Sequence, residues 1–92
     1  MTVHTVLAPT EVMWRDVAGE VVLLEPDGTR VMGLNGSGGE VWKRIDGSRS
    51  LGSIADEVAA HFAQPVDAVL RDVLGFAKVL VSRNLARVVE SD

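Results

Sequence analysis

Leu34-Asn35-Gly36-Ser37-Gly38-Gly39-Glu40-Val41-Trp42-Lys43-Arg44-Ile45-Asp46-Gly47 is the stretch that decides the fold, because its character changes part-way along. It reads as the end of a strand, a glycine-rich turn, a short amphipathic helix and a stop. Ser37 suits a helix N-cap, and Glu40, three residues later, completes a capping box. Val41, Trp42 and Ile45 share one helical stripe, and Gly47 suits the stop. No residue in it is an obvious catalyst. Working outward, the chain before it has strand character and the chain after it has helix character.

Upstream, residues 11–15 carry Val12, Met13 and Trp14 and read as a first strand, after a loose lead-in over residues 1–10. Asp16-Val17-Ala18-Gly19 reads as a turn. Residues 20–25 hold Val21, Val22, Leu23 and Leu24, an unbroken run that suits a strand covered on both sides or central in a sheet. Pro26-Asp27-Gly28 is a second turn, and residues 29–34 are a third strand. In that strand Arg30, Met32 and Leu34 share one face, and Val31 and Gly33 the other. Both connections are short, so the strands form an antiparallel meander with the first and third at its edges.

Downstream, Ser50 suits the N-cap of a second helix over residues 51–63, with Leu51, Ile54, Ala55, Val58, Ala59 and Phe62 on one face. Pro65 breaks the chain before a third helix over residues 66–83. Asn84 stands where a left-handed cap belongs, and residues 85–89 return as a short strand or an extended tail. On the third helix Val66, Val69, Val73, Phe76, Ala77 and Leu80 centre on one direction. Leu70, Leu74 and Val81 widen the arc to about 160°, against the ~100° a surface helix buries on its own core. Two readings stand. Either the helix is central and buried on most sides, or Leu70, Leu74 and Val81 line a groove for a partner. An uncovered strand edge beside such a groove accepts an extended peptide as an extra strand.

Length and composition bound the function. At 92 residues a single domain is expected, with little material for a deep active site. The absence of cysteine excludes disulfides, thiol catalysis and cysteine-ligated metals, and suits a cytoplasmic location. Residues 1–9 lack the pattern of a signal peptide, and the longest strictly apolar run, residues 21–24, is far too short to cross a bilayer. A net charge of −4 disfavours nucleic acid as the main partner. Residues 71–87 are locally basic, with Arg71, Lys78, Arg83 and Arg87 against Asp72 alone. His4 and His61 are far apart with no ligand cluster around them, so no metal is expected. Gly33, Gly36, Gly38 and Gly39 lack the lysine and hydroxyl of a phosphate loop. The tandem Gly38-Gly39 and the mid-helix Gly75 each cost a helix about 1 kcal/mol, for no reason visible in the sequence.

The ordered set of residues resembles the PqqD-like proteins, also called RiPP recognition elements. It comprises the apolar run at residues 21–24, Pro26 to Gly28, Leu34-Asn35, Ser37-Gly38, Val41-Trp42, Asp46-Gly47, Ser50-Leu51, Ile54-Ala55, Phe62, Val69, Asp72-Val73, Leu80 and Leu85. The resemblance covers roughly residues 11–88; Asn84 stands where the family often has glycine. It implies an α+β, winged-helix-like fold, a three-stranded antiparallel sheet followed by three helices, in one unit over residues 1–92 with an ordered core of about 11–88. It implies non-catalytic binding of the leader segment of a ribosomally made precursor peptide. The leader adds as a strand to the third strand, lies against the third helix, and is delivered to a leader peptidase or a radical SAM enzyme. The pathway is of the lasso-peptide or the pyrroloquinoline quinone type. No enzymatic activity, cofactor, nucleic acid or membrane is expected, and the oligomeric state stays open. The expected site comprises the backbone of Arg30, Val31, Met32, Gly33 and Leu34, apolar pockets from Leu70, Val73, Leu74 and Ala77, and Arg71 and Lys78 to steer leader carboxylates. The competing expectation is a winged-helix DNA binder.

Overall fold

The computed structural model describes residues 1–25, 28, 30–34 and 36–89. In chain order the elements are β1 (Leu7–Pro9), β2 (Met13–Val17), β3 (Glu20–Leu24), β4 (Val31–Leu34), α1 (Gly36–Arg44), α2 (Leu51–Phe62), α3 (Val66–Ser82) and β5 (Ala86–Val88). β2, β3 and β4 form the antiparallel meander, with β3 in the middle.

Side-chain alternation gives this sheet one wet face and one dry face. Trp14, Leu23 and Met32 are cross-strand partners, as are Asp16, Val21 and Leu34. Val21, Leu23 and Leu34 are buried in the core. On the other face Met13, Val17 and Val31 are exposed, while Val22 and Leu24 are half-buried. The Val-Leu run is therefore central but covered on one side only. The first strand starts and ends two residues later than expected. It runs through Asp16 and Val17, and the turn is Ala18-Gly19 alone, with φ of 53° and 85°. Positive φ at both positions is the two-residue hairpin whose twist matches its strands. Of the second turn, Pro26 and Asp27 lie outside the described residues. Gly28 has φ of 74°, and its N–H donates to the Glu25 carbonyl at 2.8 Å.

α1 begins at Gly36, so Ser37 lies inside it and the expected capping box does not form. Glu40 turns instead to the basic side chains one turn on, Lys43 and Arg44. Asn35, the second half of the Leu-Asn step, lies outside the described residues. The tandem glycines gain a reason at Gly39. A Cβ there would sit 3.2 Å from Val21 Cγ2 and 3.4 Å from the Leu34 carbonyl oxygen, so glycine lets α1 lie directly on β3 and β4. α1 stops at Arg44, short of Gly47. α2 is capped as expected, with Ser50 Oγ accepting from the Ser53 N–H at 3.1 Å. α3 ends at Ser82, and Asn84 takes the left-handed conformation with φ of 60°.

Residues 1–10 are not a loose lead-in. β1 pairs antiparallel with β5, Leu7 opposite Val88, and Leu7 is fully buried. Thr5, Val3 and Leu7 carbonyls accept from the N–H groups of Leu51, Gly52 and Gly47. Strand pairing thus begins before residue 11. A three-residue strand is too short for its periodicity to register, and its partner lies at the other end of the chain. No helix among the described residues is long and apolar enough to cross a membrane.

Candidate peptide-binding site

β4 has a single neighbour. β3 pairs with one of its edges, and among the described residues no strand pairs with the other, because the C-terminal strand goes to β1 instead. The sheet's other margin, β2, carries Arg15 and Asp16, and Asp16 is tied to Lys43 at 3.3 Å. Charge on an edge is a common device against unwanted pairing. Val31, Met32, Gly33 and Leu34 carry none, so β4 is the more receptive margin. Arg30 precedes it, exposed, its carbonyl accepting from the Glu25 N–H at 2.9 Å.

A cavity of about 220 Å³ opens near the Leu34 end of β4. Val69, Val73 and Phe76 of α3, Val58 of α2, and Ser37, Gly38 and Val41 of α1 line it, with Asp72 as its one carboxylate. Gly38 links it to β4, since a Cβ there would stand 3.8 Å from the Leu34 side chain and 4.0 Å from Phe76. The cavity exceeds the ~150 Å³ that admits a benzene ring, so an apolar side chain fits.

Of the expected site residues, Leu34 and Val73 share the core cluster, and Val73 alone lines the cavity, while Val31 and Gly33 are exposed on β4. Ala77 is also a core residue, 1% exposed, but lies outside the lining. Leu70 and Leu74 are half-buried against the core and likewise outside it, while Arg71 and Lys78 are exposed. The wide arc of α3 thus divides: Val73, Ala77 and Leu80 are buried, and Val69, Leu70, Leu74, Phe76 and Val81 are partly so. Sequence reasoning did not place Ser37, Gly38, Val41, Val58, Val69, Asp72 or Phe76 in the expected site. The apolar ones lay within their helical stripes, where they read as core, and Asp72 stood out as the one acid in a basic segment.

A family profile described as coenzyme PQQ synthesis protein D (PqqD) matches residues 20–86. The chain belongs to the PqqD family. Within 74 residues, 80% of this PqqD-family chain and 74% of the relative, it is 32% identical to the PqqA binding protein of Rhizobium meliloti (strain 1021). It is 34% identical over 62 residues to the PqqA binding protein of Bradyrhizobium diazoefficiens, 67% of this chain and 58% of that protein. Among solved structures, TbiB1 in complex with the TbiA(beta) leader peptide superposes with a TM-score of 0.78 at 23% identity, covering 92% of this chain and 99% of that one. That likeness is one of fold, and it agrees with the expected α+β arrangement of three strands followed by three helices.

In this PqqD-family chain the charged groups serve the frame. Glu40 accepts from Arg44 Nη1 at 2.7 Å and stands 2.8 Å from Lys43 Nζ. Its hydrogen bonds to Arg44 first and Lys43 second lower its pKa from 4.5 to about 2. Glu40 and Asp16 in turn raise that of Lys43. Arg44 reaches Glu57 of α2 at 3.5 Å, so the network ties α1 to both β2 and α2. The Asp46 carboxylate accepts the N–H groups of Arg49 and Ser48, which lowers its pKa and shapes the α1–α2 loop. Trp42 is core, and Trp14 stands at the rim, edge-on to it at 6.2 Å. Among the described residues no group of His, Asp and Glu is placed to hold a metal ion.

Proposed function

We propose that this protein binds the leader segment of a ribosomally made precursor peptide, without catalysis, and holds it for a maturation enzyme. The observation that carries this is the margin of β4, unpaired among the described residues and built from Val31, Met32, Gly33 and Leu34, near an apolar cavity. An added strand satisfies the unpaired N–H and C=O groups of the edge, which supplies affinity independent of sequence. Side chains at alternate positions then supply selectivity, one of them filling the cavity. The backbone of β4, with Arg30 before it, forms the pairing surface. Val69, Val73 and Phe76 form the pocket wall, while Leu70, Leu74 and Ala77 keep α3 seated beside it. Arg71 and Lys78, exposed on α3, attract leader carboxylates. Two relatives named for binding PqqA, and a fold neighbour solved with a leader peptide, support the reading.

The enzyme served is a leader peptidase or a radical SAM enzyme acting in the cytoplasm, in a quinone-cofactor or lasso-type pathway. The chain's part is presentation: the cavity wall is apolar apart from Ser37 and Asp72, and among the described residues no group of His, Asp and Glu is placed to hold a metal ion. Calorimetry with a synthetic leader, taken from the short precursor encoded beside this gene, tests the reading. Saturable binding is expected, with the amide NMR signals of Val31, Met32, Gly33 and Leu34 shifting most. Val69→Asp, at the pocket wall, is expected to abolish binding, with a melting curve to show that the variant is folded. Absence of binding, or shifts confined to other elements, would remove β4 from the site.

A further inference from the structure

Gly33 is a glycine inside an edge strand, and its missing side chain is replaced from elsewhere. Val22 is its cross-strand partner, so Glu20, two residues earlier on the same face of β3, is its diagonal neighbour. The Glu20 side chain leans across, and its Oε1 lies 2.9 Å from the place a Gly33 Cβ would occupy. Glu20 is exposed, and among the described residues no ion pair uses its carboxylate. Any side chain at position 33 would push it away. With glycine there, a negative charge from the central strand is delivered to the free margin of the sheet. Its neighbour on the same margin and face is Val31, exposed and apolar.

A strand added to β4 places one residue beside Gly33 and another, two positions away, beside Val31, both facing the outer side of the sheet. Directly opposed side chains lie about 5 Å apart, and opposite charges there attract. We propose that the bound segment carries a lysine or arginine beside Gly33, received by the Glu20 carboxylate, and an apolar residue beside Val31. The bound peptide is thus an extended segment with a basic and an apolar residue two positions apart. Glu20 is a specificity residue and Gly33 the gap that lets it act. This rests on strand addition to β4 and goes beyond it by naming the chemistry of the ligand at two positions.

The test is selection of a phage-displayed library of random twelve-residue peptides on the full chain and on its Glu20→Gln and Glu20→Lys variants. Melting curves show whether each variant is folded, and the milder Glu20→Gln carries the test if Glu20→Lys is not. The wild-type chain is expected to enrich peptides with Lys or Arg two positions from an apolar residue. Glu20→Gln loses the basic preference while still capturing peptides, and Glu20→Lys replaces it with Asp or Glu. A selected basic peptide binds Glu20→Gln about three-fold more weakly, as suits a solvent-exposed ion pair. Peptides that shift the β4 amides but show no basic preference overturn the assignment of Glu20 and leave strand addition standing. So does a basic preference that survives both variants. If nothing is captured, or captured peptides leave the β4 amides unmoved, strand addition itself fails.

Discussion

Two glycines inside helices have opposite physical meanings, and substitution separates them. Gly39 lies where α1 crosses the sheet, and an added methyl meets Val21 and the Leu34 carbonyl at 3.2 and 3.4 Å. Gly39→Ala is expected to destabilise the fold by about 1 kcal/mol or more, because overpacking outweighs the gain in helix propensity. Gly75 is exposed in the middle of α3, with nothing within 4 Å of a Cβ. Gly75→Ala is expected to stabilise by about 0.5–1 kcal/mol, a rise in Tm of several degrees in a thermal melt. The sequence presents both as equal costs; only the neighbour across the chain tells them apart. Glu40 makes a second residue-scale prediction. Its pKa falls from 4.5 when unpaired to about 2 in the fold, so its contribution is complete above 4.5 and lost as the pH drops towards 2. Glu40→Gln is expected to lower stability near neutrality by about 1 kcal/mol and to flatten its decline over that acid range, read from urea midpoints against pH.

At the scale of elements, the type and order of the strands and helices from β2 to α3 were legible because each carries its own period. The meander followed from two short connections, and the edge position of β4 followed from the meander. The cavity was not legible. A helical wheel shows that α3 is broad on its apolar side, but not that Val69, Val73 and Phe76 face the start of α1 across a gap at Gly38. That depends on how closely three helices approach, which pattern does not encode. Strand addition makes a prediction of its own at this scale. Backbone N-methylation of a bound leader, scanned one residue at a time, is expected to weaken binding with a period of two. Only alternate amides of an added strand point at β4. Calorimetry across the series would show a flat profile if side chains alone held the peptide.

At the scale of the molecule, one antiparallel pair closes the chain on itself. Leu7 lies opposite Val88, and Leu7 and Leu85 are both fully buried. Sequence reasoning read residues 85–89 as a short strand or an extended tail and missed its partner for a physical reason: β1 is three residues long, and nothing in its own pattern marks it as a strand. Leu7→Ala is expected to cost about 2–4 kcal/mol, measured by urea unfolding, as much as a deletion deep in the core and far more than trimming a loose end. The clasp has a further consequence for engineering. The Val89 N–H donates to the Val6 carbonyl at 2.8 Å, so residues 6 and 89 lie side by side, and covalent continuity between them is interchangeable with continuity elsewhere. A short glycine linker across that seam, with the backbone reopened at the exposed Ala63–Pro65 bend, would give a circularly permuted protein with the same helical signal and the same β4 chemistry.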